Sequence, residues 1–417
     1  MRKEPVYSAD FDFLPGHPAG VCLPQGFIAG AVYCGLKTYG EGKLDLGILV
    51  SSVPASVAGV FTTNLVRAAP VLWDEAVVQR GQAQAVIYNA GIANACTGAQ
   101  GLADTREMAT LTADKLGLSP ELVLVTSTGV IGHLLPMHKI QQGVAALELV
   151  EGETAGLAAS FCIMTTDTRP KRCVARLQLG GKQVLIGGMC KGAGMIHPNM
   201  ATMLCYLTTD AAATPEFLQA IIRELVQESF NAITVDGDTS TNDSVLALAN
   251  GLAGNPTLGQ AASAEDELKF KEALRAVMVY LAKEIARDGE GATKLIEIWV
   301  RGAASKEEAH LVARTAAGSN LTKAAIFGSD PNWGRVIAAA GRSGAKFAPE
   351  KVDIYFGEIP LMLAGVPQPF EKAEAQEALK GPTVYITLDL HAGEDDALAW
   401  GCDLTQEYVV INSEYET

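Results

Sequence analysis

Histidine is scarce in this chain, and the histidine motifs of common hydrolases are missing. Only six histidines occur among 417 residues. No HExxH pair that would bind zinc is present, and no Ser-His-Asp arrangement is legible. A threonine that uses its own α-amine as base would not need a histidine, so this scarcity does not exclude that kind of nucleophile.

Positive charge is also in short supply. The chain has 32 Lys and Arg against 47 Asp and Glu, which gives a net charge of −15. A general nucleic-acid or anionic-membrane surface needs clustered Lys and Arg, so both partner classes are disfavoured. A local basic pocket for the carboxylate of a small substrate remains compatible with this balance.

Sorting signals and redox motifs are absent from the sequence as well. No uncharged apolar run is long enough to span a bilayer, and residues 1–5 are charged with no apolar core behind them. The eight cysteines are scattered and form no CxxC pair. We therefore expect a cytoplasmic protein with reduced thiols, most of them buried as small apolar residues.

The composition is that of a globular protein with room for two domains. Hydrophobic residues make up 48% and charged residues 19% of the chain. Short apolar, β-branched runs alternate with helical patterns, which indicates an α/β or α+β protein built in layers. Eight runs are predicted to be strands: residues 46–50, 85–88, 122–126, 184–186, 203–207, 295–300, 352–356 and 384–390.

Three helices have recognisable end signals. The first is predicted to begin at Asp104 and to end at Gly117. The second opens at Thr214, which precedes a proline, and the third stops at Asp288. Residues 251–264 are small and polar and indicate a surface loop, and no obvious linker divides the chain.

The loop over residues 191–204 is the most informative segment. It is rich in glycine, contains a proline, and places Thr202 at the start of an apolar run. The Thr202 hydroxyl could attack the carbonyl of Ala201, and cleavage there would give Thr202 a free α-amine as its own base. The plainer interpretation is a tight turn that leads into a buried strand. Phosphate-loop motifs do not fit this segment.

Two further segments have both a functional and a structural interpretation. Residues 126–132 follow a strand and combine hydroxyl side chains with glycine, which suits an oxyanion hole or a simple polar strand exit. Residues 236–243 carry three carboxylates, which suits a Ca²⁺ or Mg²⁺ loop or a self-bonded turn, although the EF-hand spacing is wrong.

Residues 89–98 and 328–335 are also loops with two interpretations. The amides of the first could bond a ligand or the loop itself, and its Cys96 is expected to be buried. In the second, Arg335 could bind a carboxylate bidentately or pin a loop, and the local pattern favours the loop.

Taken together, six ordered segments resemble the ornithine acetyltransferase family of arginine biosynthesis, also called glutamate N-acetyltransferase. The resemblance covers most of the chain and rests on residues 126–132, 165–168, 191–204, 236–243, 328–335 and 412–417.

The resemblance implies an enzyme with an N-terminal threonine nucleophile and two intertwined domains. Self-cleavage at Ala201–Thr202 would give an α chain, 1–201, and a β chain, 202–417, which associate as α₂β₂. Thr202 would take acetyl from N²-acetylornithine and pass it to glutamate in a ping-pong reaction. No metal or cofactor is implied, although acetyl-CoA serves some members as a co-substrate.

The family pattern also assigns roles to individual residues. Thr128 and Gly129 would stabilise the oxyanion. Lys191 suits a substrate carboxylate, and Glu290 suits the ornithine ammonium group. The complete set of implied substrate-binding residues is Thr165, Lys191, Thr202, Glu290, Asn412 and Thr417.

Two other functions stay open from the residues alone. An aminopeptidase or amidase could use the same N-terminal nucleophile, with water in place of glutamate as acceptor. A non-enzymatic metal-binding or ligand-binding protein could be built around residues 236–243.

Overall fold

A computed structural model describes residues 10–37, 42–197 and 203–414 of the chain. The predicted layered, mixed α/β fold is confirmed, because two β-sheets are covered by helices. Among the described residues, no helix is both long enough and apolar enough to cross a bilayer.

The larger sheet has nine strands. They are β1 Phe11–Pro15, β2 Phe27–Val32, β3 Leu46–Phe61, β4 Gln82–Ile92, β5 Val123–Val130, β6 Lys171–Leu179, β7 Lys182–Lys191, β8 Leu204–Thr209 and β9 Ser244–Ala249. Eight of them lie in the order β1-β6-β7-β8-β9-β3-β4-β5, and β2 pairs with β3 outside this path. Strands β8 and β9, which follow Thr202 in the chain, thus lie between β7 and β3, which precede it.

The central strands are buried on both faces, and successive side chains enter different layers. In β8, Tyr206 packs with the core cluster that also contains Ala155 and Ala159, whereas Leu207 packs with the cluster that contains Leu218 and Val277. Alternation of this kind follows from the two-residue period of a strand. It explains why residues 203–207 appear as a continuous apolar run in the sequence.

The smaller sheet has six strands, all from the C-terminal third of the chain. They are β10 Leu295–Ala303, β11 Asp353–Phe356, β12 Ile359–Leu363, β13 Val366–Pro367, β14 Thr383–Asp389 and β15 Asp395–Cys402, in the order β13-β12-β11-β14-β10-β15. A separate hydrophobic core lies between this sheet and helices of the same segment.

Eleven α-helices are present in the described part of the chain. They are α1 Ala69–Gln79, α2 Gly98–Leu116, α3 Met137–Ala146, α4 Gly152–Cys162, α5 Pro215–Glu228, α6 Ala264–Arg287, α7 Lys306–Ala317, α8 Asn320–Phe327, α9 Trp333–Gly341, α10 Lys372–Glu377 and α11 Gln406–Glu414. The sequence had revealed end signals for only three of them.

All eight predicted strands are confirmed, and the helix ends are confirmed except one. Thr214 caps α5 by accepting a hydrogen bond from the Phe217 amide, and α6 stops at Asp288. The predicted start of α2 at Asp104 is wrong, because the helix begins at Gly98. Asp104 is buried within α2 and accepts a hydrogen bond from Gln100 at 2.8 Å, so it does not cap the helix.

Candidate active site

A cavity of about 440 Å³ lies at one end of the larger sheet, where β4, β5 and β7 end and β8 and β9 begin. Six of the predicted site residues line it, and they come from five separate segments of the chain: Thr128, Gly129, Thr165, Lys191, Glu290 and Asn412. Met203, the residue that follows Thr202, lines it too. Residues 198–202 and 415–417 are outside the described residues, so Ala201, Thr202 and Thr417 cannot be located in it.

Thr128 and Gly129 lie at the end of β5, where only glycine fits the second position. The φ angle of Gly129 is +131°, a region that favours glycine. A Cβ atom on it would lie 2.2 Å from the backbone carbon of Gly91 in β4. The close approach of β4 and β5 therefore requires glycine here, and it leaves the backbone next to the cavity.

Strand β5, which carries these two residues, is held by hydrogen bonds with side chains of α1. The buried carboxylate of Asp74 in α1 accepts a hydrogen bond from the Val125 amide at 2.7 Å. Burial raises the pKa of Asp74 well above its usual range, and that hydrogen bond only partly opposes the shift. In addition, the indole of Trp73 donates to the Val123 carbonyl at 2.9 Å. Two side chains of one helix therefore hold β5 in place.

Lys191, the last residue of β7, is only 8% exposed and points toward the oxyanion candidate. Its Nζ atom lies 3.4 Å from Oγ1 of Thr128. Burial lowers the pKa of Lys191, while the negative charges of Asp167 and Glu290 oppose this shift. A buried ammonium group with few partners of its own is suited to bind a substrate carboxylate.

Glu290 and Asn412 meet on another wall of the cavity. Asn412 Nδ2 donates to Glu290 Oε2 at 2.7 Å, and the Glu290 amide donates to the Ala193 carbonyl at 2.9 Å. A Cβ atom on Gly194 would lie 2.4 Å from the Glu290 carboxylate, so a larger residue there would displace this carboxylate from its present position. The loop before Thr202 is thus shaped around a carboxylate that faces the cavity.

The same loop is held on its other side by Asp236. This carboxylate accepts hydrogen bonds from the amides of Met195 at 2.6 Å and Ile196 at 2.9 Å. Next along the loop, His197 Nδ1 lies 2.9 Å from the hydroxyl of Thr234. Burial and the charge of Arg314 lower the pKa of His197 to about 4, so it is neutral at neutral pH. The segment that leads to the Ala201–Thr202 bond is therefore fixed up to His197.

The ArgJ family model matches residues 28–417 of the chain. The chain belongs to the ArgJ family. The arginine biosynthesis bifunctional protein ArgJ of Symbiobacterium thermophilum is 54% identical over 398 residues, which are 95% of this chain and 98% of that protein. The protein of the same name from Dehalococcoides mccartyi is 49% identical over 98% of this chain and 100% of its own length.

A solved structure of the ArgJ protein of Bacillus halodurans is also similar. It has 47% sequence identity, covers 50% of this chain and 98% of that chain, and has a TM-score of 0.49. Membership of the ArgJ family confirms the predicted family and activity, that of an ornithine acetyltransferase and glutamate N-acetyltransferase of arginine biosynthesis.

Two interpretations of loops in this ArgJ family member are resolved by their contacts. The amides of residues 89–98 bond the loop and its neighbour, since Asn89 donates to the Ile92 carbonyl and Asn94 to the Gly101 carbonyl. Arg335 has a structural role, because from α9 it donates to the Leu321 carbonyl of α8 at 2.9 Å and so holds the two helices on either side of the intervening loop. Residues 328–335 are not among those that line the cavity.

Cys96 corrects one prediction. Six cysteines are buried, as expected for most of them, but Cys96 is exposed and lines the cavity. It has a φ angle of +59° in the tight turn before α2, which directs it away from the core. Its sequence context of small residues resembled that of a packed loop, and nothing local revealed the cavity next to it.

Residues 236–243 contribute more to the site than the sequence indicated. Seven of these eight residues line the cavity, and Asn242 donates to the carbonyls of Ala93 and Ser127 at 2.6 and 2.9 Å. These bonds tie the segment to the ends of β4 and β5. Within the described ranges, no three His, Cys, Asp or Glu side chains are grouped so that they could hold a metal ion.

Tyr408 in α11 also lines the cavity and was missed. Burial raises its pKa, and the charges of Asp236 and Glu290 act in the same direction. Its only signal in the sequence was its position shortly before the tail motif that begins at Asn412.

Proposed function

We propose that the chain cleaves itself at Ala201–Thr202 and that the new N-terminal threonine carries acetyl from N²-acetylornithine to glutamate. One observation carries the proposal. Six predicted site residues, from five segments, line one cavity together with Met203. Met203 is bonded to Thr202, so its position in the cavity wall supports Thr202 as the nucleophile of this site. The roles of the individual residues below belong to the proposal.

The transfer can be written as two balanced acyl exchanges. The Thr202 hydroxyl adds to the acetyl carbonyl of acetylornithine while its α-amine takes the hydroxyl proton. The resulting oxyanion lies against Thr128 and the Gly129 region, and its collapse expels the ornithine α-amine, which receives that proton. The amine of glutamate then attacks the acetyl ester by the reverse sequence, giving N-acetylglutamate and free Thr202.

The charges of the cavity fit amino-acid substrates of this kind. One lysine, Lys191, faces four carboxylates, those of Asp236, Asp238, Asp243 and Glu290. The lysine suits the α-carboxylate that both substrates have, and the acidic surroundings suit the ammonium group of ornithine. We assign these two roles to Lys191 and Glu290, and we propose that Thr165 and Asn412, which also line the cavity, contact the substrate as well. Thr202 and Thr417 belong to the same proposed set.

The proposed α chain, 1–201, and β chain, 202–417, would stay together after cleavage. Strand β8 pairs with β7 along six residue pairs from Ile186–Thr209 to Lys191–Leu204, and β9 pairs with β3. Cutting one peptide bond leaves these ladders intact. We propose α₂β₂ as the assembly, without metal or cofactor. The name "bifunctional" of the relatives favours acetyl-CoA as a second acetyl donor.

A bell-shaped pH profile of kcat/KM is expected for the transfer. A terminal α-amine has a reference pKa of about 7.7–8.0 and must be neutral to act as base, so activity rises through that range. Burial lowers the pKa of Lys191. The ammonium charge of Lys191 is present at low pH and is lost as the pH rises through this lowered pKa. Binding of the substrate carboxylate therefore weakens at a lower pH than it would with an ordinary lysine.

The pH profile can be checked with Lys191→Arg, because arginine stays charged above pH 12. The alkaline limb of kcat/KM should move to higher pH in this variant, whatever its absolute activity. An alkaline limb at the same pH in both proteins would remove Lys191 from carboxylate binding.

Acceptor dependence separates the transferase from a hydrolase with the same nucleophile. Incubation with acetylornithine alone should release no more ornithine than one equivalent of active sites, since the acetyl-enzyme waits for an acceptor. Adding glutamate should start continuous turnover, and acetyl-CoA with glutamate tests the second donor. Steady ornithine release without glutamate would favour the amidase alternative.

A further inference from the structure

Three buried charges lie directly behind the cavity and outside the predicted set of site residues. Lys171, the first residue of β6, is 2% exposed. Its Nζ atom lies 2.5 Å from Oδ1 of Asp167 and 2.6 Å from Oδ2 of Asp288, and both carboxylates are buried. Lys171, Asp167 and Asp288 therefore form one ion triad, which joins the segment before β6 to the end of α6.

Besides its ion pair with Lys171, Asp167 accepts hydrogen bonds from the two neighbouring segments that line the cavity. Its Oδ1 atom accepts a hydrogen bond from the Gly192 amide at 2.7 Å, and its Oδ2 atom accepts one from the Thr165 amide at 3.1 Å. Gly192 follows Lys191 directly. The position of this one carboxylate thus determines where the Thr165 segment and the Lys191 segment lie.

Asp288 connects the third segment to the other two. It accepts hydrogen bonds from the amide of Thr168, at 3.1 Å, and from the Thr168 hydroxyl. Glu290 lies two residues further along the chain, and its amide is bonded to Ala193. Residues 165–168, 191–194 and 288–290 are three of the proposed substrate-binding segments, and all three therefore converge on the ammonium group of Lys171.

Stability alone does not account for this arrangement. A buried ion pair or triad repays its desolvation cost only in part, and well-packed apolar residues of similar size are often as stabilising. An ammonium group with two carboxylates, by contrast, specifies the directions and distances of everything bonded to them. Within the triad, the negative charge of Asp167 acts to raise the pKa of the nearby Lys191, and the positive charge of Lys171 acts to lower it.

We propose that Lys171 is a positioning residue for acetyl transfer, whose ammonium group holds the three substrate-binding segments at the spacing that an α-amino-acid substrate requires. This inference rests on the proposed function of the cavity. It assigns Lys171 no contact with the substrate. In a ping-pong reaction donor and acceptor use the same site in turn, so the spacing matters equally for acetylornithine and for glutamate.

Lys171→Met tests the inference, since methionine keeps the length of the side chain and removes the charge. The KM values for acetylornithine and for glutamate should both rise by about tenfold or more, because displacement of Lys191 or Glu290 weakens a charged hydrogen bond to the substrate, and one such bond is worth roughly that factor. The kcat value per cleaved chain should fall much less. Denaturing mass spectrometry supplies the cleaved fraction in each preparation.

Lys283→Met is the matched control. Lys283 in α6 also pairs with a buried carboxylate, that of Glu297 at 3.2 Å, but neither residue lines the cavity. This variant loses an ion pair of a related kind, so both KM values should stay within about twofold of wild type. A thermal midpoint measured for each protein shows whether the two substitutions destabilise the fold to a similar degree.

Thr168→Val is a milder second variant that keeps the test valid if Lys171→Met does not fold. Thr168 is exposed, and the substitution removes only its hydroxyl bond to Asp288. Both KM values should rise by a few-fold, because the loss of one hydrogen bond displaces Asp288 and the Glu290 segment less than the loss of the ammonium group does.

The outcomes separate this inference from the proposed function. If wild type transfers acetyl and the folded Lys171 and Thr168 variants keep both KM values at the level of the Lys283 variant, the positioning role is wrong and the proposed function stands. A fall in kcat alone, with both KM values unchanged, also overturns it. If wild type transfers no acetyl from acetylornithine to glutamate, the proposed function itself is wrong.

Discussion

Replacing Thr202 by alanine is expected to leave the chain uncut and to reduce acetyl transfer by at least about 10⁴-fold. The hydroxyl is the proposed nucleophile of both reactions, attacking the Ala201 carbonyl once and the substrate acetyl group in every turnover. Denaturing mass spectrometry of the variant should show one species of 417 residues, whereas wild type should show fragments that end at Ala201 and begin at Thr202.

Thr202→Ser provides the control, because serine keeps both a hydroxyl group and, after cleavage, an α-amine. It should cleave and transfer measurably, although more slowly. Turnover like that of wild type in the alanine variant would refute Thr202 as nucleophile. A wholly intact wild-type chain with full activity would refute the proposed cleavage and leave the transfer reaction to be explained differently.

Replacing Gly129 by alanine is expected to damage both the fold and the catalysis. A Cβ atom would lie 2.2 Å from the Gly91 carbon, on backbone that cannot withdraw without separating β4 from β5. Strain at the positive φ angle and overpacking together should cost about 2–5 kcal/mol of stability. Any folded protein should cleave and transfer at least about 100-fold more slowly, since the oxyanion contacts move.

Gly132→Ala separates these two causes. Gly132 has a φ angle of +85°, yet a Cβ atom on it would meet nothing within 4 Å. This variant bears only the backbone strain, of about 1–2 kcal/mol, and should keep cleavage and turnover close to wild type. Equal losses in both variants, by thermal midpoint and by kcat, would show that the approach of β5 to Gly91 is unimportant.

Local patterns sufficed for much of the fold. The alternation of β-branched runs with helical segments located the starts of eight strands to within three residues, because burial on both faces selects apolar residues throughout a central strand. The predicted start of α2 at Asp104 was wrong because the first turns of this helix lack a hydrophobic pattern. Residues 98–103 are mostly small, and no apolar period marks them as helix until Thr105 and Met108 enter the core.

The site was predictable where its residues form short motifs. Lys191 and the Thr128–Gly129 pair lie in segments whose glycines and hydroxyls are unusual enough to identify a family. Cys96 and Tyr408 lie in segments without such features, and their presence in the cavity depends on neighbours that are distant in sequence. Asp236 resembled a possible metal ligand, but it accepts hydrogen bonds from the amides of Met195 and Ile196, in the loop before the proposed cleavage point.

The sequence by itself determined the family, the activity and the identity of the residues proposed to act, because each of these depends on residue types at fixed short spacings. Only the tertiary structure decided which segments converge. Lys171 illustrates the difference, since it lies 117 residues from Asp288 and no local pattern links them. Their contact arises from the pairing of β6 with β7 and the packing of α6 against both strands. The loop that leads to Thr202 is thereby held against Glu290.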